Sequence, residues 1–318
     1  MKTDKIVNDK KNGGKVYGIG WCLFMSDQRL NISDYFFSEQ WIKILDEVTF
    51  FSKKSRGVWY RGQNNNRAKG GECYRLQSGL FRMDMSVDQL LEWEQVSYKR
   101  FLENGFELHK TTNEWDLLYL MQHYGVKTRL LDWTESFAVA LYFATRNWTE
   151  KNECSVWLLD PYRLNEIFHG TKNLISMPRE SSFLEERTSF AKTLALFPYM
   201  NSSRSMNQKG IFTLQGNTKL GLEEEEEGIL FDKKIVKHIH LKPDLKNDIK
   251  MFLELSGINH FTLFPDLDGL ASFVNQWTTE DIHKKDVNIP WEKADDYEFI
   301  RDSPQGSIHW EEDKDTYR

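Results

Sequence analysis

Three cysteines in 318 residues, Cys22, Cys73 and Cys154, are too few and too far apart for a disulfide framework. No CxxC pair and no Cys/His ligand cluster accompanies them, so no metal is expected. Such sparing cysteine use fits a reducing compartment, and the expected location is the cytoplasm, where the sequons at Asn31, Asn147 and Asn201 carry no glycan. Seven prolines and 19 glycines exclude a collagen-like or low-complexity chain. A basic excess is lacking as well. Forty-two Lys plus Arg face 48 Asp plus Glu, a net charge of −6. That balance speaks against wholesale gripping of duplex phosphates and leaves room only for a local basic cleft. No GxxxxGK[ST], GxSxG, HExxH or EF-hand loop occurs. Gly18-Ile19-Gly20 lacks the third glycine and the helix start of a dinucleotide fingerprint. The apolar run Val16–Met25 holds ten residues and two glycines, too short for a bilayer and without a small-residue cleavage site after it. It reads as a buried strand.

What the chain does have is apolar bulk: 40% hydrophobic and 14% aromatic residues, enough to build a core. Helical spacing predicts helices over about 34–48 (capped by Ser33 or Asp34), 88–107, 114–123 (Asn113 as cap, Gly125 as stop), 136–146, 245–255 and one after Pro265. Strands are expected over 57–62, 128–132, 155–160, 210–214 and 235–241, with Pro161 closing the third. Residues 171–190 read as loop, and the acidic run Glu223–Glu227 as a solvated loop. Strands and helices interleave without strict alternation, so the expected class is α+β, a curved mixed β-sheet with surrounding helices. Residues 1–15 read as a mobile tail, 16–278 as the domain and 279–318 as a charged extension.

Polar and aromatic residues concentrate in three segments. The first is Trp59-Tyr60-Arg61-Gly62-Gln63, with Leu80-Phe81-Arg82 downstream. The second runs from Gln122 to Thr134 (QHYGVKTRLLDWT) into the apolar helix containing Ala140-Leu141-Tyr142-Phe143-Ala144. The third holds Arg204, Gln208, Gly210 and Phe212. So many polar groups beside buried helix faces must pair with one another or with a ligand. The plainer reading is an internal network in which Arg129 bridges Asp132 and helix-end carbonyls. The sharper one is a ligand cleft. Arg61 on an apolar strand favours a functional role, since a buried Arg is unusual unless paired. His238 and His240 alternate on a strand and lack a third ligand for a metal.

The motifs WYRGQ, SGLFR, QHYGVKTRLLDWTESFAVALYFA, RSMNQKGIFTL and LFPDLDGLA resemble successive motifs of the FRG domain family, densely over about 56–146 and in weaker islands to about 275. Gln77 and Phe137 stand where many relatives have Pro. The resemblance implies similarity to ADP-ribosyltransferases: an enzyme that uses NAD without a metal, transferring ADP-ribose to a protein or nucleic-acid acceptor or hydrolysing the cofactor. A bacterial toxin or phage-defence setting is implied in the same way. Carried over by motif, the catalytic set would be Arg61, Thr134 and Gln208. Arg61, Gln63, His123, Tyr124, Thr128, Arg129, Trp133 and Arg204 would bind the cofactor. A guanidinium can grip diphosphate oxygens bidentately. Gln208 departs from the acidic residue of those enzymes and brings no negative charge to a developing oxocarbenium ion. The alternative is a non-catalytic module whose cleft of Arg61, Arg82, Arg129 and Arg204 binds nucleic acid or a nucleotide.

Overall fold

A β-branched and aromatic pattern places six short strands side by side, and helices cover both faces of the resulting sheet. The computed structural model describes residues 37–64, 74–146, 148, 153–176, 181–197 and 210–285. In chain order the elements are α1 (Glu39–Lys54), β1 (Trp59–Gln63), α2 (Val87–His109), α3 (Glu114–His123), β2 (Leu130–Thr134), α4 (Phe137–Thr145), β3 (Cys154–Leu159), α5 (Pro161–His169), α6 (Phe183–Glu186), β4 (Leu194–Leu196), β5 (Gly210–Leu214), α7 (Ile229–Asp232), β6 (Val236–Leu241), α8 (Lys246–Leu255), α9 (His260–Leu263) and α10 (Leu267–Lys285). The strand order is β4-β5-β2-β1-β3-β6. The α+β class therefore holds, but the sheet is not the mixed one expected. Every pairing between these strands is antiparallel, and the one parallel contact among the described residues is the isolated bridge Ile175–Leu196.

Alternation along the strands sorts side chains onto two faces. Tyr60, Val156, Leu158, Ile239 and Leu241 meet Trp41, Ile44 and Val48 of α1, Ala140 and Ala144 of α4 and Ile249 of α8. The opposite face carries Trp59, Leu131, Trp133, Trp157 and Leu159, packed with Leu164 of α5 and with Leu222 and Leu230. A third cluster joins Tyr98 of α2 and Trp115, Leu118 and Met121 of α3 to Leu130, Leu196 and Leu214 at the β4 end of the sheet.

Local chemistry explains most helix ends. Asn113 Oδ1 accepts from the Asp116 backbone N–H at 2.9 Å, and Gly125 takes φ +81° beyond the far end of α3, a conformation that costs glycine little. The first helix starts later than expected. Ser38 is its cap, accepting from Trp41 N–H, and that serine is itself held by Asp248 of α8 at 2.7 and 2.8 Å. Pro161, expected only to end a strand, also opens α5 at N1, with Asp160 accepting from Tyr162 and Arg163 N–H at 3.1 and 3.0 Å. The acidic run is not wholly solvated: Glu225 is buried and accepts from the Thr193 backbone N–H and hydroxyl, and Glu223 accepts from Leu76 N–H. The last helix runs unbroken past residue 278 to Lys285. The strand expected at 16–25, the tail at 1–15 and residues 286–318 of the extension lie outside the described residues.

Candidate anion-binding notch

The two central strands hold together by one pair. Tyr60 opposes Thr134, whereas β1 with β3 and β2 with β5 each run through five registered pairs. Continuing the β1–β2 ladder would bring Gly62 opposite Asp132, and it does not continue. Instead the Arg61 guanidinium donates from Nη1 to the Asp132 backbone carbonyl at 2.6 Å. A side chain thus satisfies a carbonyl that the ladder leaves open, as buried backbone polar groups require. The β1–β2 pairing ends at this point, a notch in the ladder with Arg61 at its edge.

Gly62 explains why the motif couples arginine to glycine. A Cβ there would lie 2.0 Å from the Ala140 carbonyl oxygen and 2.6 Å from the Ala144 nitrogen, both backbone atoms of α4. Only a residue without a side chain lets α4 lie directly on β1, and the small Ala140 and Ala144 complete the fit. Helix α4 is thereby pressed against the strand that carries Arg61.

Arg61 is not locked against an acid. Its Nη1 stands 4.0 Å from the Asp132 carboxylate, at the outer limit of an ion pair, and its side chain keeps 19% of its surface exposed. Its Nε is buried with no hydrogen-bond partner. Burial pulls its pKa down to about 10; Asp132 opposes that fall and the nearby Arg82 cation deepens it. The guanidinium therefore stays charged at neutral pH, beside a second positive charge. Asp132 is oriented from behind: Gln122 Nε2 donates to its Oδ2 at 2.8 Å, and Thr128 Oγ1 donates to Gln122 Oε1 at 2.5 Å. Gln63, one turn of the pleat beyond Arg61, accepts from Trp157 Nε1 at 2.9 Å.

The other expected site residues fall elsewhere. Thr134 shares the face of Tyr60, not that of Arg61, and its Oγ1 accepts from Ser136 N–H at 3.1 Å where α4 begins. Trp133 is buried among Trp59, Leu131 and Trp157, its indole N–H on Thr213 Oγ1 at 3.0 Å. His123 and Tyr124 stand exposed at the end of α3, ring edge to ring face. Arg204 and Gln208 lie outside the described residues. Arg129 does not bridge Asp132. It is fully buried and forks onto Glu94 of α2, Nε to Oε1 at 2.8 Å and Nη2 to Oε2 at 2.5 Å, with Nη1 on Asn217 at 3.0 Å. Phe81, Phe183 and Phe190 surround its guanidinium. Glu94 was legible in principle: it stands at helical spacing between Leu90 and Tyr98, the buried residues of α2.

Among the described residues no His, Cys, Asp and Glu side chains group as a metal site, and no helix is long and apolar enough to cross a membrane. No curated protein and no solved structure matches the chain. A family model does match, over the stretch that holds both strands of the notch, Arg82, the Gln122–Thr128–Asp132 relay and α4. Residues 56–153 of this chain match the model of the FRG domain.

Proposed function

We propose that the notch binds the diphosphate of a nucleotide and that the chain is an NAD-utilising enzyme of the cytoplasm. In this reading it transfers ADP-ribose to a macromolecule or to water. The observation that carries the reading is Arg61: a largely buried, charged guanidinium with an unpartnered Nε, beside Arg82, where the β1–β2 pairing ends. The exposed Arg82 cation repels the largely buried Arg61, and an anion between them would relieve both that repulsion and the desolvation of Arg61. Phosphate oxygens match the guanidinium fork. In the reaction, the bond from nicotinamide nitrogen to the ribose anomeric carbon breaks and nicotinamide leaves with the electron pair. The cationic ribose carbon is then captured by an acceptor nucleophile or by water, which loses its proton. Arg61 holds the diphosphate during that step. Loss of such electrostatic positioning costs about 100- to 1000-fold in rate. Consumption of NAD would suit a toxin or phage-defence effector.

The test is nicotinamide release and label transfer from labelled NAD+ with a panel of protein and nucleic-acid acceptors. The native chain should release nicotinamide, Arg61→Ala should lose at least about 100-fold, and Arg61→Lys, a point charge without the fork, should recover only part. Absence of turnover together with absence of NAD+ binding overturns the reading. The same cation pair also supports a second reading, a binding module without turnover. Oligonucleotide binding with a steep salt dependence and no nicotinamide release would select it.

A further inference from the structure

The face of the sheet that carries Arg61 continues across β3 to β6 as a small polar grid. Arg61, Trp157 and His238 oppose one another in one row, and Gln63, Ser155 and His240 in the next. Ser155 is fully buried, and its Oγ has no hydrogen-bond partner. His238 Nε2 and Arg61 Nε are likewise buried without one. Ser155 stands diagonal to both, at the roughly 7–8 Å spacing of diagonal neighbours on one sheet face. Ser155 Oγ, His238 Nε2 and Arg61 Nε thus bring three unpartnered buried atoms onto one face of the sheet, whereas the others among the described residues, on Trp41, Ser78, His109 and Arg187, stand singly on other elements. Buried polar groups left without partners are costly, and a cluster of them on one face calls for a ligand rich in hydrogen-bonding atoms.

The chemistry of the grid selects the class of that ligand. Ser155 can donate and accept, and Gln63 offers a carboxamide whose oxygen is already taken by Trp157. Burial holds the His238 imidazole in its neutral form, which can also donate or accept. Stacking is not what the surface offers: Trp157 is buried and carries the His238 ring on its face, centroid to centroid 3.9 Å and 17° between planes. Neutral groups that both give and take hydrogen bonds suit vicinal hydroxyls. We infer that Gln63, Ser155 and His238 form a sugar-hydroxyl subsite, which holds the ribose of a nucleotide whose phosphate lies on Arg61. The inference rests on the phosphate reading of the notch and adds to it what the ligand must carry next to its phosphate.

Two variants and two ligands test it. Calorimetric titration of the full chain with AMP and with 2′,3′-dideoxy-AMP should show the dideoxy compound binding about 10-fold more weakly. Ser155→Ala and His238→Phe, the second keeping a flat neutral ring on Trp157, should each weaken AMP by about 3- to 10-fold and leave the dideoxy compound unchanged, the worth of one neutral hydrogen bond. In the absence of ligand Ser155→Ala should melt at or above the native temperature, because it removes a hydroxyl that bonds to nothing. Equal binding of both ligands, or AMP binding unchanged in both variants, overturns the subsite. If Arg61→Ala still weakens AMP in that case, the phosphate reading survives. Failure of the native chain to bind either ligand at millimolar concentration overturns both. A Ser155→Ala chain that melts well below native overturns the subsite as well, by making the hydroxyl a structural partner.

Discussion

Replacing Glu94 by Ala should be among the most destabilising single changes in the domain. The side chains of Arg129 and Glu94 expose 0% and 2% of their surface, so neither charge has water to fall back on. The change removes two hydrogen bonds of 2.8 and 2.5 Å, and leaves the guanidinium with Asn217 at 3.0 Å and three phenyl rings. Breaking a buried pair in this way costs about 3–5 kcal/mol, because an uncompensated charge stays inside. Against a typical total of about 5–15 kcal/mol, that is a third or more of the stability. Urea unfolding followed by tryptophan fluorescence should show the midpoint falling by more than about 1 M at unchanged slope. The double variant Glu94→Leu/Arg129→Met removes both charges and keeps apolar volume, and it should recover most of the loss. A single variant that loses less than about 1 kcal/mol, or a double variant no better than the single, refutes the claim that the pair is a sealed structural unit. The outcome also bears on Arg129 as a ligand contact, since a guanidinium with no exposed surface, sealed under an acid, an amide and three rings, is out of a ligand's reach.

Gly62→Ala should cost about 3 kcal/mol or more, at or beyond the upper end of overpacking, since the atoms 2.0 and 2.6 Å from the new Cβ are backbone and cannot rotate away. A thermal melt within a degree or two of native would show that α4 does not lie on β1 as described. Burial holds His238 down to about 4, below its ordinary value near 6.5. Between those values the unfolded chain binds a proton that the folded chain refuses, so this histidine's share of stability is complete above pH 6.5 and is lost as pH falls towards 4. Glu223 and Glu225, pushed up by burial, act in the opposite sense in acid, so the measurement is the difference between native and His238→Phe unfolding curves across pH 4–7. A difference that is flat with pH contradicts the burial of this ring.

The parts of the fold that the sequence announces are those where one residue type settles the local geometry. Asn113 and Gly125 bracket α3 at the expected residues because a cap and a left-handed glycine act within one turn. Pro161 misleads because the same ring that ends a strand also begins a helix at N1, and only Asp160 before it tells the two apart. Leu194–Leu196 is too short for alternation to show, and becomes a strand by pairing with β5. The acidic run looks solvated because its neighbours in sequence are acids, whereas Glu225 is claimed by Thr193, 32 residues away. In the notch, the motif marks Arg61 correctly as a strand-borne cation, and strand alternation then sends Thr134 to the other face. Helical spacing marks Glu94 as a buried acid, but that it meets Arg129 depends on how α2 lies against the start of β2, a tertiary fact that no local pattern encodes.

A sheet joined at its middle by one rung is mechanically two flaps on a shared pin. β4, β5 and β2 form one flap and β1, β3 and β6 the other, with Tyr60 and Thr134 as the pin. Spreading the flaps around a bulky guest would leave both five-pair ladders whole, but would break the Tyr60–Thr134 pair, the Arg61–Asp132 latch and the apolar contacts of Leu131 and Trp133 with Trp59 and Trp157. Any opening between β1 and β2 would therefore be a rotation about that pin, at the cost of those core contacts, rather than the unzipping of a strand.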